Sequence, residues 1–294
     1  MKKILLALLS ATLLVTVTQP AQAEDQKVLA IIDSAINSNN FPSIIQEVCF
    51  TANDSFALNV GGSVLCPNGS TFMEGKGAAG NTVWPASVNN PVYHGDTMVK
   101  AALTVNPNLK IVFVRISNLD KTGGINAFSN RTIELALEWV SQNASKYSID
   151  AVSVSQSSVN PLVLKRCSND TVTISAVASL TSNNVPVFVA TGNDRLRDVV
   201  GFPSCVNGAI GVGALGNATQ LEAATNTGPG LDMVAPGRVT VTKYNGSVLN
   251  TSGSSVATAV SAASYVNRNT SKTFGEYLTS LPKILIGAAS YIRN

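Results

Sequence analysis

Short hydrophobic runs alternate with amphipathic segments along most of the chain. The runs are rich in β-branched residues, apolar on both faces and bounded by Asn, Asp, Gly or Ser, which is typical of buried parallel strands. They are Val28–Ile32, Ile111–Ile116, Ile149–Val154, Val185–Ala190 and Ala209–Val212. Helical patterns cover Thr97–Leu103, Ile133–Val140, Val172–Leu180 and Val256–Val266. Strands that alternate with helices predict right-handed crossovers and an α/β fold: a three-layer, doubly wound, mostly parallel sheet with helices on both faces.

The N-terminus has the pattern of a secretory signal peptide. Met1–Lys3 is basic, Ile4–Val17 is apolar with Ser and Thr interruptions, and Ala21-Gln22-Ala23 supplies a small-x-small cleavage pattern. The alternative is a membrane anchor, but spanning a bilayer takes about 20 apolar residues, and this run is shorter and broken. We therefore expect residues 1–23 to be removed. The mature chain, starting at Glu24, would be exported to the periplasm or the medium without stable membrane insertion.

Residues 24–294 are expected to form a single domain, because the chain has no internal repeat, low-complexity tract or linker. The segment from about 37 to 93 differs from the rest, since it is rich in Gly and Asn, weakly periodic and contains one pair of cysteines. We interpret this segment as an insertion on the surface of the domain rather than as a second domain.

Cysteine usage agrees with export. The four cysteines are Cys49, Cys66, Cys167 and Cys205, an even number that favours two disulfides in an oxidising compartment over free buried thiols. Three pairings are possible. Closeness in sequence favours Cys49–Cys66 and Cys167–Cys205. A zinc site is disfavoured, because no pair has Cys-x-x-Cys spacing and the chain has one histidine.

The charge balance argues against a nucleic-acid partner. Charged residues make up 13% of the chain, with 20 Lys and Arg against 17 Asp and Glu. Removal of Lys2 and Lys3 with the signal peptide would leave 18 basic against 17 acidic residues. No cluster of Lys or Arg remains that could neutralise a run of phosphates.

Three residues at the ends of predicted elements could form a nucleophilic site. Asp33 ends the first strand, while His94 and Ser255 each open a helix, and functional groups of open α/β sheets gather at the carboxyl ends of the strands. A serine nucleophile needs a base, and the base needs a carboxylate that fixes its tautomer. Any Ser–His mechanism here uses His94, because the sequence has no other histidine.

Taken singly, each residue has a commoner structural explanation: a cap for Asp33, a satisfied polar group for His94 and a turn for Ser255. Their order along the chain, Asp then His then Ser, resembles that of the subtilisin-like serine proteases, the subtilases. Other segments resemble the same family in the same order over about residues 28–266: Asn108–Ile116, Ile149–Ser157, Val187–Asn193, Gly201–Cys205, Gly211–Ala214, Thr225–Pro229 and Val234–Gly237.

The resemblance implies a serine endopeptidase with protein or peptide substrates. Ser255 would be the nucleophile, His94 the general base and acid, and Asp33 the carboxylate that orients His94. Asn193 would donate to the oxyanion together with the backbone N–H of Ser255. The substrate-binding residues would be Ser155, Gln156, Ser157, Ala190, Thr191, Gly192 and Gly201. No cofactor is required for this chemistry; a structural calcium ion is common in the family, but no Asp-rich loop places one here.

The sequence departs from the family pattern in several places. Ser254 stands where the family usually has Thr, and Ala259 where Pro is expected, which removes a rigid residue but no catalytic atom. Asp96 replaces a small residue, and we expect it either to raise the pKa of His94 or to cap the helix. No pro-segment is recognisable between Glu24 and Asp33, so the chain either folds unaided or is assisted by a separate folding helper or inhibitor.

Other function classes fit less well. A dinucleotide-binding enzyme needs a Gly-rich turn after the first strand, and residues 32–37 contain no glycine. An α/β-hydrolase needs Gly-x-Ser-x-Gly and a serine before the histidine, and both are missing. The alternative that stays open is a catalytically weak subtilase-fold protein kept for binding or assembly.

Overall fold

A computed structural model describes residues 26–51, 65–80, 93–119, 126–243, 246–268, 273–286 and 289–293. The predicted signal peptide, residues 1–23, lies outside the described residues, as do 52–64 and 81–92 of the predicted insertion. Within the described ranges, no helix is both long enough and apolar enough to cross a bilayer.

The strands of the described residues form one large sheet and two small hairpins. Their bounds are β1 Val28–Asp33, β2 Ile44–Phe50, β3 Phe72–Glu74, β4 Lys110–Arg115, β5 Ser117–Leu119, β6 Asn126–Phe128, β7 Ala151–Val154, β8 Val187–Ala190, β9 Ala209–Leu215, β10 Met233–Pro236, β11 Arg238–Thr242, β12 Val248–Ser252, β13 Lys283–Ile286 and β14 Ala289–Arg293. The main sheet has ten strands in the order β13-β14-β10-β9-β8-β7-β1-β4-β2-β3. Its strands run parallel except for β13 and β3, one at each edge.

Helices cover both faces of this sheet. Their bounds are α1 His94–Val105, α2 Asn130–Asn143, α3 Pro161–Leu164, α4 Arg166–Asn169, α5 Thr171–Ser182, α6 Ser254–Val266 and α7 Phe274–Ser280, with a 3₁₀ turn at Ser38–Asn40. Helices α1 and α6 pack on one face, and α2 and α5 on the other. The predicted three-layer, doubly wound α/β fold is therefore confirmed.

The alternation of side chains along β1 decides which helices its residues meet. Leu29 and Ile31 belong to the core under α1 and α6, whereas Ala30 and Ile32 belong to the core under α2 and α5. Because side chains in a strand point to opposite faces with a period of two, Asp33 projects toward the face of α1 and α6. These helices carry the predicted site residues His94 and Ser255 in their first turns.

The interpretation of residues 37–93 as a surface insertion is wrong for part of the segment. Ile44–Phe50 forms strand β2, which pairs in parallel with β4 inside the main sheet. This strand was not predicted because Glu47 interrupts the apolar pattern of the sequence. In the structure Glu47 is nevertheless buried, with 4% of its surface exposed. Its carboxylate is accommodated by accepting a hydrogen bond from the Ala79 amide at 3.0 Å.

Two disulfides join elements near the sheet. Cys49 of β2 is bonded to Cys66, with Cα atoms 5.9 Å apart. Cys167 of α4 is bonded to Cys205, with Cα atoms 5.4 Å apart. These are the two pairings that closeness in sequence favours.

Candidate active site

The carboxylate of Asp33 is buried at the carboxyl end of β1, and its side chain is fully inaccessible to solvent. Its Oδ1 atom accepts a hydrogen bond from the amide of Ser34 at 2.6 Å and lies 2.7 Å from Nδ1 of His94. Its Oδ2 atom is buried and has no hydrogen-bond partner among the described residues. Asp33 thus contacts the imidazole of His94 through one of its two carboxylate oxygens.

The start of α1 approaches the end of β1 closely, which brings His94 to Asp33. The amide of Gly95 donates to Oγ of Ser34 at 2.9 Å. A Cβ atom on Gly95 would lie 2.7 Å from the ring of Phe113 and 2.8 Å from the carbonyl oxygen of Ala35, so a side chain here would push the helix away. The glycine after the histidine therefore sets the distance between the two site residues.

Asp33 also controls the protonation of His94. Burial of the ring disfavours the charged imidazolium, but the negative charge of Asp33 and its hydrogen bond outweigh this effect and raise the pKa of His94 above its ordinary value of 6.5. The side chain of His94 is still 33% exposed. With Nδ1 bound to Asp33, the other ring nitrogen, Nε2, is the one left to exchange a proton.

Asp96 binds a segment outside its own helix. Its Oδ1 accepts a hydrogen bond from the amide of Asn37 at 2.8 Å, outside α1. The carboxylate therefore fastens the chain that follows β1 to the first turn of α1. The shift in the pKa of His94 comes from burial and from Asp33.

Ser255 occupies the first turn of α6, directly after Gly253 and Ser254. Its Oγ donates to the backbone carbonyl of Ser155 at 3.0 Å, and Oγ of Ser155 in turn donates to the carbonyl of Ser255 at 3.0 Å. The first N–H groups of a helix have no acceptor within the helix. The amide of Ser255 is consequently available where the helix dipole favours negative charge.

Asn193 is exposed and lies against the start of the same helix. Its Oδ1 accepts a hydrogen bond from the amide of Ser254 at 2.9 Å. The backbone of Gly253 has φ +145°, and a Cβ atom there would be 3.0 Å from both Nδ2 and Oδ1 of Asn193. Glycine before the helix is thus required both by the backbone conformation and by the approach of the asparagine.

Asn226 is buried and fixes the segment that carries Asn193. No role was assigned to this residue from the sequence, although it lies in a segment that resembles the family. Its Oδ1 accepts hydrogen bonds from the amides of Asp194 at 2.9 Å and Leu196 at 3.1 Å. Its Nδ2 donates to the carbonyl of Thr191 at 3.1 Å and to Oδ2 of Asp194 at 2.9 Å. The sequence signal for this residue was the segment Thr225–Pro229, which resembles the family, but its contacts depend on the fold.

The predicted substrate-binding residues come together beside Ser255. The amide of Gly201 donates to the carbonyl of Thr191 at 2.8 Å, and a Cβ atom on Gly201 would lie 2.9 Å from Cβ of Ser157. Ser158 and Phe202 form an antiparallel bridge. Ala190 and Gly192 flank Thr191 at the end of β8. Gln156 is the exception, because its amide contacts Asp33 and His94.

No metal position emerges from the part of the chain that the structure describes. There, no three His, Cys, Asp or Glu side chains are close enough together to hold an ion.

Comparison with known proteins points to one family. A profile of the subtilase family matches residues 77–267, a range that includes His94, Asn193 and Ser255 and begins after Asp33. Subtilisin BL of Lederbergia lenta is 27% identical over 204 residues, 68% of this chain and 66% of that protein. An alkaline protease of Alkalihalobacillus alcalophilus is 26% identical over 204 residues, 68% of this chain and 47% of that protein. The match thus spans between about half and two thirds of these relatives.

The fold of this chain is similar to that of solved structures as well. The crystal structure of a cold-adapted subtilisin-like serine proteinase superposes with a TM-score of 0.59 at 20% identity, over 93% of this chain and 90% of that one. The family profile covers well over half of the chain, and the resemblance of the motifs agrees with it. The chain therefore belongs to the subtilase family.

Proposed function

We propose that this chain is a serine endopeptidase that hydrolyses peptide bonds through an acyl-enzyme on Ser255. The observation that carries the proposal is the buried Asp33 carboxylate 2.7 Å from Nδ1 of the one histidine. This pair faces the helix that begins at Ser254. Asn193 lies at the start of the same helix.

In the proposed first half-reaction, His94 takes the proton of the Ser255 hydroxyl while Oγ attacks the scissile carbonyl carbon. Asp33 keeps Nδ1 protonated and stabilises the imidazolium that forms. The carbonyl oxygen becomes an oxyanion, which accepts hydrogen bonds from Nδ2 of Asn193 and from the Ser255 amide. His94 then gives its proton to the leaving amine as the C–N bond breaks.

In the second half-reaction, water replaces the amine. His94 takes a proton from the water while its oxygen attacks the acyl carbon, and the same two donors receive the oxyanion. His94 then returns the proton to Oγ of Ser255 as the ester bond breaks, which restores the free enzyme. Side chains and backbone supply every group in these steps, so the proposed reaction uses no cofactor.

The hydroxyl of Ser255 must change its acceptor for this reaction to begin. In the structure it donates to the carbonyl of Ser155. A serine hydroxyl has few staggered positions and exchanges among them by rotation about one bond. We propose that substrate binding beside Ser155 favours the rotamer that donates to His94.

We further propose that an extended peptide lies along the segment after β7 and adds to it as a strand. Ser155, Ser157, Ala190–Gly192 and Gly201 would then form the walls that receive one substrate side chain. Small residues dominate these walls, which favours a fairly large side chain in that position. Protein and peptide substrates are the partners that this arrangement suits.

Export through the N-terminal signal is part of the proposal. Two disulfides support an oxidising destination, either the periplasm or the medium. Mass spectrometry of the mature protein is expected to find Glu24 as the first residue. An intact Met1 in membrane fractions would contradict the predicted cleavage. Refolding of the mature chain alone, compared with refolding beside cell extract, tests for a folding helper.

One observation favours the alternative of a catalytically weak binding or assembly protein: the Ser255 hydroxyl donates to Ser155 rather than to His94. Digestion of a peptide library decides between the two functions. The proposal expects cleavage products from the wild-type chain and none from Ser255→Ala purified in the same way. Equal product levels from both, or none from either folded protein, would contradict it. EDTA added before digestion tests for a structural metal ion.

A further inference from the structure

Gln156 has a position that its family resemblance did not suggest. It follows β7 directly and was predicted to line the substrate pocket. In the structure its Nε2 atom lies 3.2 Å from Nδ1 of His94 and donates to Oδ1 of Asp33 at 3.4 Å. The side chain is half-buried. It therefore contacts both members of the Asp33–His94 pair at once.

The orientation of the amide follows from the charge beside it. Oδ1 of Asp33 already accepts from the Ser34 amide and from His94. If the amide oxygen of Gln156 faced this atom, two acceptors would meet, one of them charged. With Nε2 in that place, an N–H group faces the carboxylate instead, and the amide contributes a third donor to the same oxygen.

We propose that Gln156 is a positioning residue for the proposed reaction. It donates a hydrogen bond to the Asp33 carboxylate and thereby weakens the interaction of that carboxylate with the Nδ1 proton of His94. This inference rests on the proposed peptidase mechanism, which gives His94 the role of base. Gln156 is distinct from a pocket wall in that it acts through Asp33 and His94 rather than through substrate.

The amide of Gln156 opposes protonation of His94. A donor to Oδ1 of Asp33 takes up part of the negative charge that would otherwise stabilise the imidazolium. The positive end of the amide N–H also lies beside Nδ1. Both effects oppose protonation of His94, whereas Asp33 alone favours it. Gln156 thereby limits the rise in the pKa of His94 and keeps the ring neutral, as a general base must be near neutral pH.

The other charged and titratable groups near the ring do not duplicate this role. Asp96, on α1 itself, binds the Asn37 amide. Arg115 of β4 is the register partner of Asp33 and donates to the Gly80 carbonyl. Burial lowers the pKa of Arg115 to about 10, and the charge of Tyr93 opposes this effect. On α6, Ser255 and Ser254 are uncharged. Asp33 is the charged group that raises the pKa of His94, and in the proposal Gln156 moderates its effect.

The single histidine makes a direct experiment possible. In the full mature chain with Ser255→Ala, which prevents self-cleavage, the imidazole C–H resonances report one residue only. We would titrate these resonances by NMR in this background and in the same background with Gln156→Met, which keeps the length of the side chain and removes its amide. Gln156→Ala serves as a second variant without the donor. Gln142→Met, an exposed glutamine of α2, is the matched control.

The proposal expects the pKa of His94 to rise by about 0.5 in Gln156→Met and Gln156→Ala, and to stay unchanged in Gln142→Met. An unchanged or lowered pKa in folded Gln156→Met would overturn the proposal, as would an equal rise in the control. Because the titration needs no turnover, its result stands apart from whether the chain is a peptidase.

Kinetics give the second readout if the wild type cleaves peptides. The acidic limb of kcat/KM in Gln156→Met is expected to move to higher pH by the same amount as the NMR titration. A pocket wall would give a different result: altered KM or cleavage preference with an unmoved limb. That result would also overturn the proposal.

Discussion

The Oδ1 atom of Asn193 and the amide of Ser254 are joined by a hydrogen bond of 2.9 Å. Because the oxygen of this carboxamide is occupied by the helix start, its Nδ2 is the atom left to face a ligand at Ser255. The asparagine is therefore oriented by the helix that carries the proposed nucleophile. The same helix carries the Ser255 amide, so the hydrogen bond fixes Asn193 relative to the second proposed oxyanion donor.

Replacement of Asn193 by Ala is expected to lower kcat by about 10²–10³, the usual cost of losing one oxyanion donor. KM should change little, because the donor acts on the transition state. Steady-state kinetics on a peptide substrate measure both constants. Asn217→Ala, in an exposed turn, is the control and should leave both unchanged. A raised KM with unchanged kcat would show that Asn193 binds substrate instead.

Replacement of Asn226 by Ala is expected to act through Asn193. Loss of its side chain leaves the amides of Asp194 and Leu196 without their acceptor, which should cost about 1–3 kcal/mol of unfolding free energy. Displacement of the segment should lower kcat by up to about 10²-fold. In an Asn193→Ala background the further loss in kcat should be small. Independent, additive losses in this double-mutant cycle would contradict the account.

The protonation of His94 predicts two pH dependences. Protonated His94 cannot accept the Ser255 proton, so kcat/KM should fall toward acid with a midpoint above 6.5, since Asp33 raises the pKa. A group whose folded pKa is raised adds stability below its unfolded pKa and loses it as pH rises through the folded pKa. The unfolding free energies of Ser255→Ala with and without His94→Gln should therefore differ most in acid. A difference that grows with pH would contradict the raised pKa.

The disulfides are expected to stabilise the chain locally. The cysteines of each pair are 17 and 38 residues apart, and closing loops of this size contributes about 3 and 4 kcal/mol in the chain-entropy model. Non-reducing peptide mapping should find Cys49 joined to Cys66 and Cys167 to Cys205. Denaturant unfolding of the Cys167→Ser/Cys205→Ser chain measures the second contribution. A linked Cys66–Cys167 peptide would contradict both pairings.

Much of the fold was predictable because its core strands are apolar on both faces. The runs around β1, β4, β7, β8 and β9 are of this kind, and each becomes a central strand. Asp33 could be selected as a candidate site residue because it ends the first of these runs. Strand β2 was not predictable in the same way, since a glutamate in the sequence indicates a surface position. The hydrogen bond from the Ala79 amide to Glu47 is known only from the structure.

Contacts between distant segments explain what the sequence did not reveal. Asp96 is two residues from His94 in the chain, yet its Oδ1 accepts a hydrogen bond from the distant amide of Asn37. The sequence predicts Gln156 as one residue of a pocket lined by small residues. Its contacts with Asp33 and His94 arise because β7 pairs with β1 in the sheet. Such contacts depend on strand order, which residue patterns do not encode.

Reaction of the mature chain with a fluorophosphonate tests the central claim, that Ser255 is an activated nucleophile. The account predicts that the folded wild type is labelled, that the labelled peptide contains Ser255, and that Ser255→Ala and His94→Gln are not labelled while Ser158→Ala is. Absence of label on folded wild-type protein, or label on a different serine, would contradict it.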